Sequence, residues 1–260
     1  MKLNHMKFSL FLILLIFIWG NIFAQDNKPK EELYLMHQDV IKVDKVSQYE
    51  ENVKKEIELW KRDGMELTVK YASKSDDNVF RYFTPLDNYG DLDKQTEYWK
   101  NFSEKAGEET MKELYSGYEG TYVSHKNVIV KRLVDLSYSP ENSRIKGEDI
   151  KFLHIDHYYF KESKIDEGMK MMKEFKELMI EKKSDDPYNV WVSDIGGDIG
   201  WVAVVRYGKN NIDYYEETNK RMKTFAEDFK EMWPKFASTL KSFSHENGTA
   251  KREFTFFPEK

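Results

Sequence analysis

Ser124-His125-Lys126-Asn127 returns 120 residues further on as Ser244-His245-Glu246-Asn247, and Lys131-Arg132 returns as Lys251-Arg252. At the same offset Leu33 meets Leu153, His37 meets His157, Asp93 meets Asp213, Glu97 meets Glu217 and Lys100 meets Lys220. A period this long is that of a whole domain, not of a solenoid turn. The reading that follows is of one folding unit written twice, residues 25–140 and 141–260, behind a leader at 1–24.

Each half runs through the same elements. Apolar and aromatic residues crowd Leu33–Val40 and Phe152–Phe160, as in strands. Apolar positions three or four apart follow: Val46, Tyr49, Val53, Ile57 and Trp60, then Ile165, Met169, Met172, Phe175 and Met179 in the second half. That spacing predicts a helix with one buried stripe. Two strands joined by a turn come next, Leu67–Ala72 with Val79–Phe83 and Val190–Ser193 with Trp201–Tyr207; Gly196 and Gly197 supply the second turn. A long helix is expected from an N-cap at Asp93 or Asp213, its second copy striped by Met222, Phe225, Phe229, Met232 and Phe236 and kinked at Pro234. Final strands are expected at Val128–Leu136 and Ala250–Phe257, each preceded by the Ser-His-x-Asn segment as a turn, with Tyr138–Glu148 as the linker. The order β-α-β-β-α-β is the ferredoxin-like unit, an α+β fold with helices on one sheet face.

Element order, the strand openings at His37 and His157, and the passages Phe80–Asp93 and Trp201–Asp213 resemble the dimeric α/β-barrel superfamily, including NIPSNAP-like and antibiotic-biosynthesis-monooxygenase-like proteins. The resemblance implies two tandem ferredoxin-like repeats packed as a pseudo-dimeric barrel, so one chain supplies both halves and can stand as a monomer. It also implies a pocket for a small apolar or aromatic molecule, which some relatives oxidise without a cofactor and others replace with bound haem. A fold does not fix a function. The alternatives are a structural or protein-binding module whose barrel is filled by its own side chains, and a haem protein.

The leader has Lys2 and Lys7, an apolar run from Phe8 to Trp19 and Ala24 before Gln25, the pattern of a cleaved secretion signal. Its removal moves the formal charge from −5 to −7, since two lysines go and no acid does. The expectation is a secreted or periplasmic body with no membrane span. Mild acidity without basic clusters argues against nucleic acid as partner. With no cysteine, disulfides, thiol nucleophiles and thiolate metal sites are excluded, and the core alone must hold the fold.

The candidate catalytic residues are His37, His154, Asp156 and His157. Alternation along Phe152–Phe160 places His154, Asp156 and Tyr158 on one face and Ile155, His157 and Tyr159 on the other. Asp156 can fix the tautomer of a neighbouring imidazole, as acid–base chemistry requires. If the halves are symmetric, His37 and His157 point to equivalent faces. His125 and His245 are candidates for the rim of a site. Tyr71, Tyr82, Trp191 and Trp201, on central strands, would line an apolar pocket between the sheets or simply fill it. No motif calls for a metal or a cofactor; the histidines lack the close ligand spacing of zinc sites.

Overall fold

The computed structural model describes residues 31–259; the expected leader lies outside them. The first half comprises β1 (Glu31–Ile41), α1 (Val46–Asp63), β2 (Tyr71–Ser75), β3 (Val79–Leu86), α2 (Asp91–Ala106), α3 (Glu108–Tyr118) and β4 (Tyr122–Leu133). The second comprises β5 (Phe152–Phe160), α4 (Ile165–Glu181), β6 (Tyr188–Ile195), β7 (Trp201–Gly208), α5 (Asn211–Thr224), α6 (Ala226–Thr239) and β8 (Leu240–Ala250). The order β-α-β-β-α-α-β thus occurs twice. Among the described residues no helix is long and apolar enough to cross a membrane.

All eight strands join one closed antiparallel barrel in the order β1-β3-β2-β8-β5-β7-β6-β4. Each half contributes four adjacent strands, and the two seams are alike: the final strand of one half pairs with the second strand of the other. The β2–β8 seam is short, pairing Ser73, Lys74 and Ser75 with Ala250, Thr249 and Gly248. There a Cβ on Gly248 would meet the Lys74 carbonyl oxygen at 2.5 Å, so only glycine lets the strands approach. The chain also crosses over beyond each final strand. Tyr138 bridges to Tyr188 in the second half, and Phe256 bridges to Val69 in the first.

Strand alternation splits the apolar residues into an inward and an outward set. Tyr34, Met36, Val128, Val130, Ile155, Trp191 and Ala203 fill the barrel centre. The outward set packs under the helices: Tyr49, Val53, Ile57, Trp60 and Phe80 in the first half, Phe160, Met172, Met179, Val190 and Phe225 in the second. Burying one such side chain contributes about 1.5–3 kcal/mol, so the two outer layers carry much of the stability that disulfides would otherwise supply.

Several expected elements shift. The long helix of each half is two helices. In the first half the break is at Gly107, at φ 85°, a conformation costly to any residue with a Cβ. In the second it is at Phe225, nine residues before Pro234, which lies inside α6. The N-cap there is Asn210, whose Oδ1 accepts from the Asp213 N–H; Asp213 itself accepts from Lys209 N–H and Arg144. In the first half Gly90 precedes the helix, and Asp91 accepts from the Asp87 and Asn88 N–H groups; Asp93 caps nothing. Ser124–Asn127 and Ser244–Asn247 are strand interior, not turns, so β8 begins ten residues earlier than expected. Residues Arg252–Phe254 form a 3-10 turn whose Phe254 is buried against the first half. The linker is packed: Ile145 is buried and Arg144 pairs with Asp186 and Asp213. Lys131 and Arg132 pair with Glu31 and Glu32 of β1.

Candidate functional site

Both β1 and β5 carry a His-x-Asp triplet, His37-Gln38-Asp39 and His154-Ile155-Asp156. Residues two apart share a face, and both triplets look outward, toward the helices. Each histidine faces an asparagine across the strand pair: His37 opposite Asn127, His154 opposite Asn247. In both, histidine Nδ1 lies 2.8 Å from the asparagine Oδ1. The repeated Asn127 and Asn247 are thus partners of the triplets.

Each pairing of first and last strands contains one bulge, at Val40/Ile41 and Tyr159/Phe160. Aligned on these bulges, His37 corresponds to Asp156, and the triplets sit two residues out of step. The sequence equivalence of His37 with His157 is therefore corrected. His157 falls on the opposite face and points into the barrel, because one extra residue of offset reverses a strand side chain.

Above the first triplet, between the sheet and α1, α2 and α3, lies a cavity of about 1200 Å³. Its walls are largely apolar and aromatic, among them Val53, Trp60, Leu92, Trp99 and Tyr115. The polar groups of the cavity form two sets, one around Asp39 and one around Glu56. Buried Asp39 accepts a hydrogen bond from Tyr49 at 2.5 Å, and the Tyr49 hydroxyl is 2.9 Å from that of Tyr82. His37 Nε2 lies 3.0 Å from Asp39 Oδ1, an ionic contact off the line of a good hydrogen bond, which leaves that oxygen without a donor. Burial pulls the His37 pKa down, but Asp39, Asn127 and the charge of Glu56 together raise it above its ordinary value. Glu56 on α1 accepts from Tyr118. Burial pushes its pKa up to about 7 against the opposing pull of Tyr118 and His37. The phenols of Tyr49, Tyr82 and Tyr118 are pushed up by burial and remain donors. The floor therefore offers a carboxyl that ionises near neutral pH beside an imidazole that holds its proton longer than usual, the pairing that general acid–base work needs.

The other candidates divide between three places. His125 joins the first cavity, its ring 6.3 Å from that of His37 and 5.2 Å from that of Tyr122. Tyr82, expected between the sheets, faces the same cavity. His157, Trp191 and Trp201 border a separate space of about 420 Å³ inside one end of the barrel, whereas the ring of His245 stacks on that of His154 at 5.5 Å on the outward face. Trp201 Nε1–H, which can only donate, points to His157 Nδ1 at 3.1 Å; the imidazole proton then sits on Nε2, 3.1 Å from Glu246. Glu246 is also paired with Arg81 at 2.7 Å. With both ring nitrogens engaged, His157 holds the interior together. Tyr71 lies toward the opposite end, packed on Tyr34 and Trp191. The space between the sheets is thus filled at its centre, and the cavity of about 1200 Å³ lies outside it, under the helices.

His154 and Asp156 stand in a third place, beneath α4, α5 and α6. His154 Nε2 is 3.2 Å from Asp156 Oδ1, while Arg206 holds the other carboxylate oxygen at 2.7 Å. Burial would raise the Asp156 pKa; His154 and Arg206 outweigh it and lower it. A bound haem would need an axial imidazole whose second nitrogen is oriented by an acceptor. Neither His125 nor His245 has a hydrogen-bond partner for its ring among the described residues, and Nε2 of His37, His154 and His157 lies 3.0, 3.2 and 3.1 Å from a carboxylate oxygen, so none presents an open nitrogen to an iron. The donor set does not fit haem.

Sequence reasoning passed over Glu56, Asp39 and Tyr49. A signal for Glu56 was present: it stands beside the buried stripe of α1, three residues after Val53 and four before Trp60, where it is half-buried.

No protein-family model and no curated protein matches the chain. Solved structures do. An anthrone oxidase-like protein superposes with a TM-score of 0.58 at 10% identity, over 86% of this chain and 93% of its own. A candidate monooxygenase from Lactobacillus acidophilus NCFM superposes with a TM-score of 0.51 at 9% identity, over 89% of this chain and all of its own.

Proposed function

Starting from a chain with the dimeric α/β-barrel fold, we propose that it binds a small apolar or aromatic compound in the cavity over His37 and turns it over without a cofactor. One observation carries this reading: an apolar cavity of about 1200 Å³ whose floor holds Glu56, with its pKa raised to about 7, beside the His37–Asp39 pair. A buried carboxylate of that pKa is matched to removing a proton from a weakly acidic C–H or O–H at neutral pH. His37, protonated, would stabilise the oxyanion that results. Tyr49 donates to Asp39 and holds it in place, with the Tyr82 hydroxyl 2.9 Å behind it. The likeness to an anthrone oxidase-like fold suggests a concrete probe. Anthrone and dioxygen give anthraquinone and water once the ring C–H proton has passed to a base.

We further infer that the halves 25–140 and 141–260 are copies of one ferredoxin-like unit, each extended by a second helix. The twofold element order, the matching bulges and the two like seams support it. Export after removal of residues 1–24 rests on the sequence pattern; N-terminal sequencing of the native protein should begin at Gln25. The test of the catalytic reading is oxygen uptake with anthrone across pH 5–9. The expected rate rises through about pH 7 as Glu56 ionises, and Glu56→Gln lowers kcat by about 100-fold or more with KM little changed. Equal rates for Glu56→Gln and the parent, or no uptake at all, reject it.

A further inference from the structure

A second cavity, of about 470 Å³, lies beneath the helices of the other half, and its chemistry differs from the first. Its walls come from α4, α5 and α6 and are built of methionine and phenylalanine: Met171, Met172, Phe175, Phe229, Met232 and Phe236. Unbranched thioether side chains adapt to apolar bodies of varied shape. The mouth is apolar as well. Met222, Trp233 and Phe243 border it and are 51%, 44% and 56% exposed, an arrangement that isolated folding does not require.

The polar floor presents donors in excess. Asp156 is taken by His154 and Arg206. Asp186, beside it, is taken by Arg221 and Arg144. Both nearby carboxylates are thus committed to cations of the protein. Arg206 uses Nη1 for Asp156 and stacks over the Tyr188 ring at 5.6 Å. Its Nε–H is buried without an acceptor, and so is the Tyr188 hydroxyl. A buried donor left unpaired costs roughly 1–3 kcal/mol, so two at one cavity floor are a defect unless something else completes them. What completes them is an acceptor with two oxygens, and the edge of a guanidinium that carries Nε is suited to a carboxylate.

We propose that this cavity is a second ligand site, for an amphipathic carboxylic acid whose apolar body lies among the methionines and whose carboxylate settles on Arg206 and Tyr188. The site is independent of the Glu56 cavity. It is lined by residues of the second half, and its ligand differs in carrying a fixed negative charge.

Isothermal titration of the chain with decanoate and with 1-decanol tests it. Decanoate should bind one to one and at least ten-fold tighter than the alcohol, because only the acid satisfies the two donors. In Arg206→Lys the charge beside Asp156 is kept and the fork is lost, so the preference for the acid should shrink to less than three-fold. Trp233→Ala and Phe243→Ala change exposed residues and leave folding intact; each should weaken both ligands three- to ten-fold. The proposal is overturned if decanoate does not bind, if acid and alcohol bind alike, if the acid preference survives in Arg206→Lys, or if both mouth variants bind like the parent.

Discussion

The two His-x-Asp triplets share the outward face of their strands, an asparagine partner and a covering layer of helices, yet they stand in opposite electrostatic settings. Around His37-Gln38-Asp39 no arginine lines the cavity among the described residues, and the nearby acid, Glu56, is pushed up to about 7. Around His154-Ile155-Asp156, Arg206 and Arg221 approach, and Asp156 is drawn down. The triplet alone therefore does not decide the chemistry; the charge that the helices and neighbouring strands bring against it does. The same local geometry lies in one cavity with a carboxyl of raised pKa in one half and forms part of a salt-bridged floor in the other.

If that contrast holds, removing an acid should have unequal consequences. Asp186 is almost fully buried between Arg144 and Arg221, and Asp186→Asn takes from Arg221 its carboxylate partner while Arg144 keeps Asp213. The expected loss is about 3–5 kcal/mol in urea unfolding. Asp39→Asn leaves one phenol and one imidazole to readjust, for an expected loss of about 1–3 kcal/mol. Equal losses would show that the two settings are not different.

Glu56 should act in the reverse sense. The folded chain holds its proton to about pH 7, whereas the unfolded chain releases it near 4.5. Between those values the unfolded state binds fewer protons, so stability falls as pH rises. Glu56→Gln removes that fall. The variant should match the parent at pH 4 and be more stable at pH 8, by at most about 3 kcal/mol and less if water enters the cavity. Parallel pH–stability curves for the two proteins would deny the raised carboxyl. The smallest expected effect is on His37. Its ring signal should titrate above the ordinary 6.5 in NMR spectra, and Asp39→Asn should bring that midpoint down.

Much of the fold was legible because alternation and helical spacing are direct consequences of burial. The strands at Phe152–Phe160 and Trp201–Tyr207, the stripe of α1, and the separation of His154 from His157 follow from them. What misled was turn chemistry. Ser, His and Asn at 124–127 and 244–247 are typical of turns, but here they are solvent- and cavity-facing positions of long strands. Pro234 drew attention away from Phe225, where the helix breaks without any breaker residue. The offset of 120 read from matching residues is not the offset of matching strands, because loops and bulges absorb single residues. That one-residue difference decided which side of the sheet His157 occupies. Glu56 and His37 come to line one cavity only through the tertiary fold, which no spacing encodes.

The three residue pairs between β2 and β8 have a bearing on how the molecule comes into being. Lys74 reaches Thr249 across a chain separation that spans nearly the whole body, so the ring of strands cannot be completed until the last segment has left the ribosome. Until then β2 presents bare backbone amides and carbonyls, and a second nascent copy could meet them first.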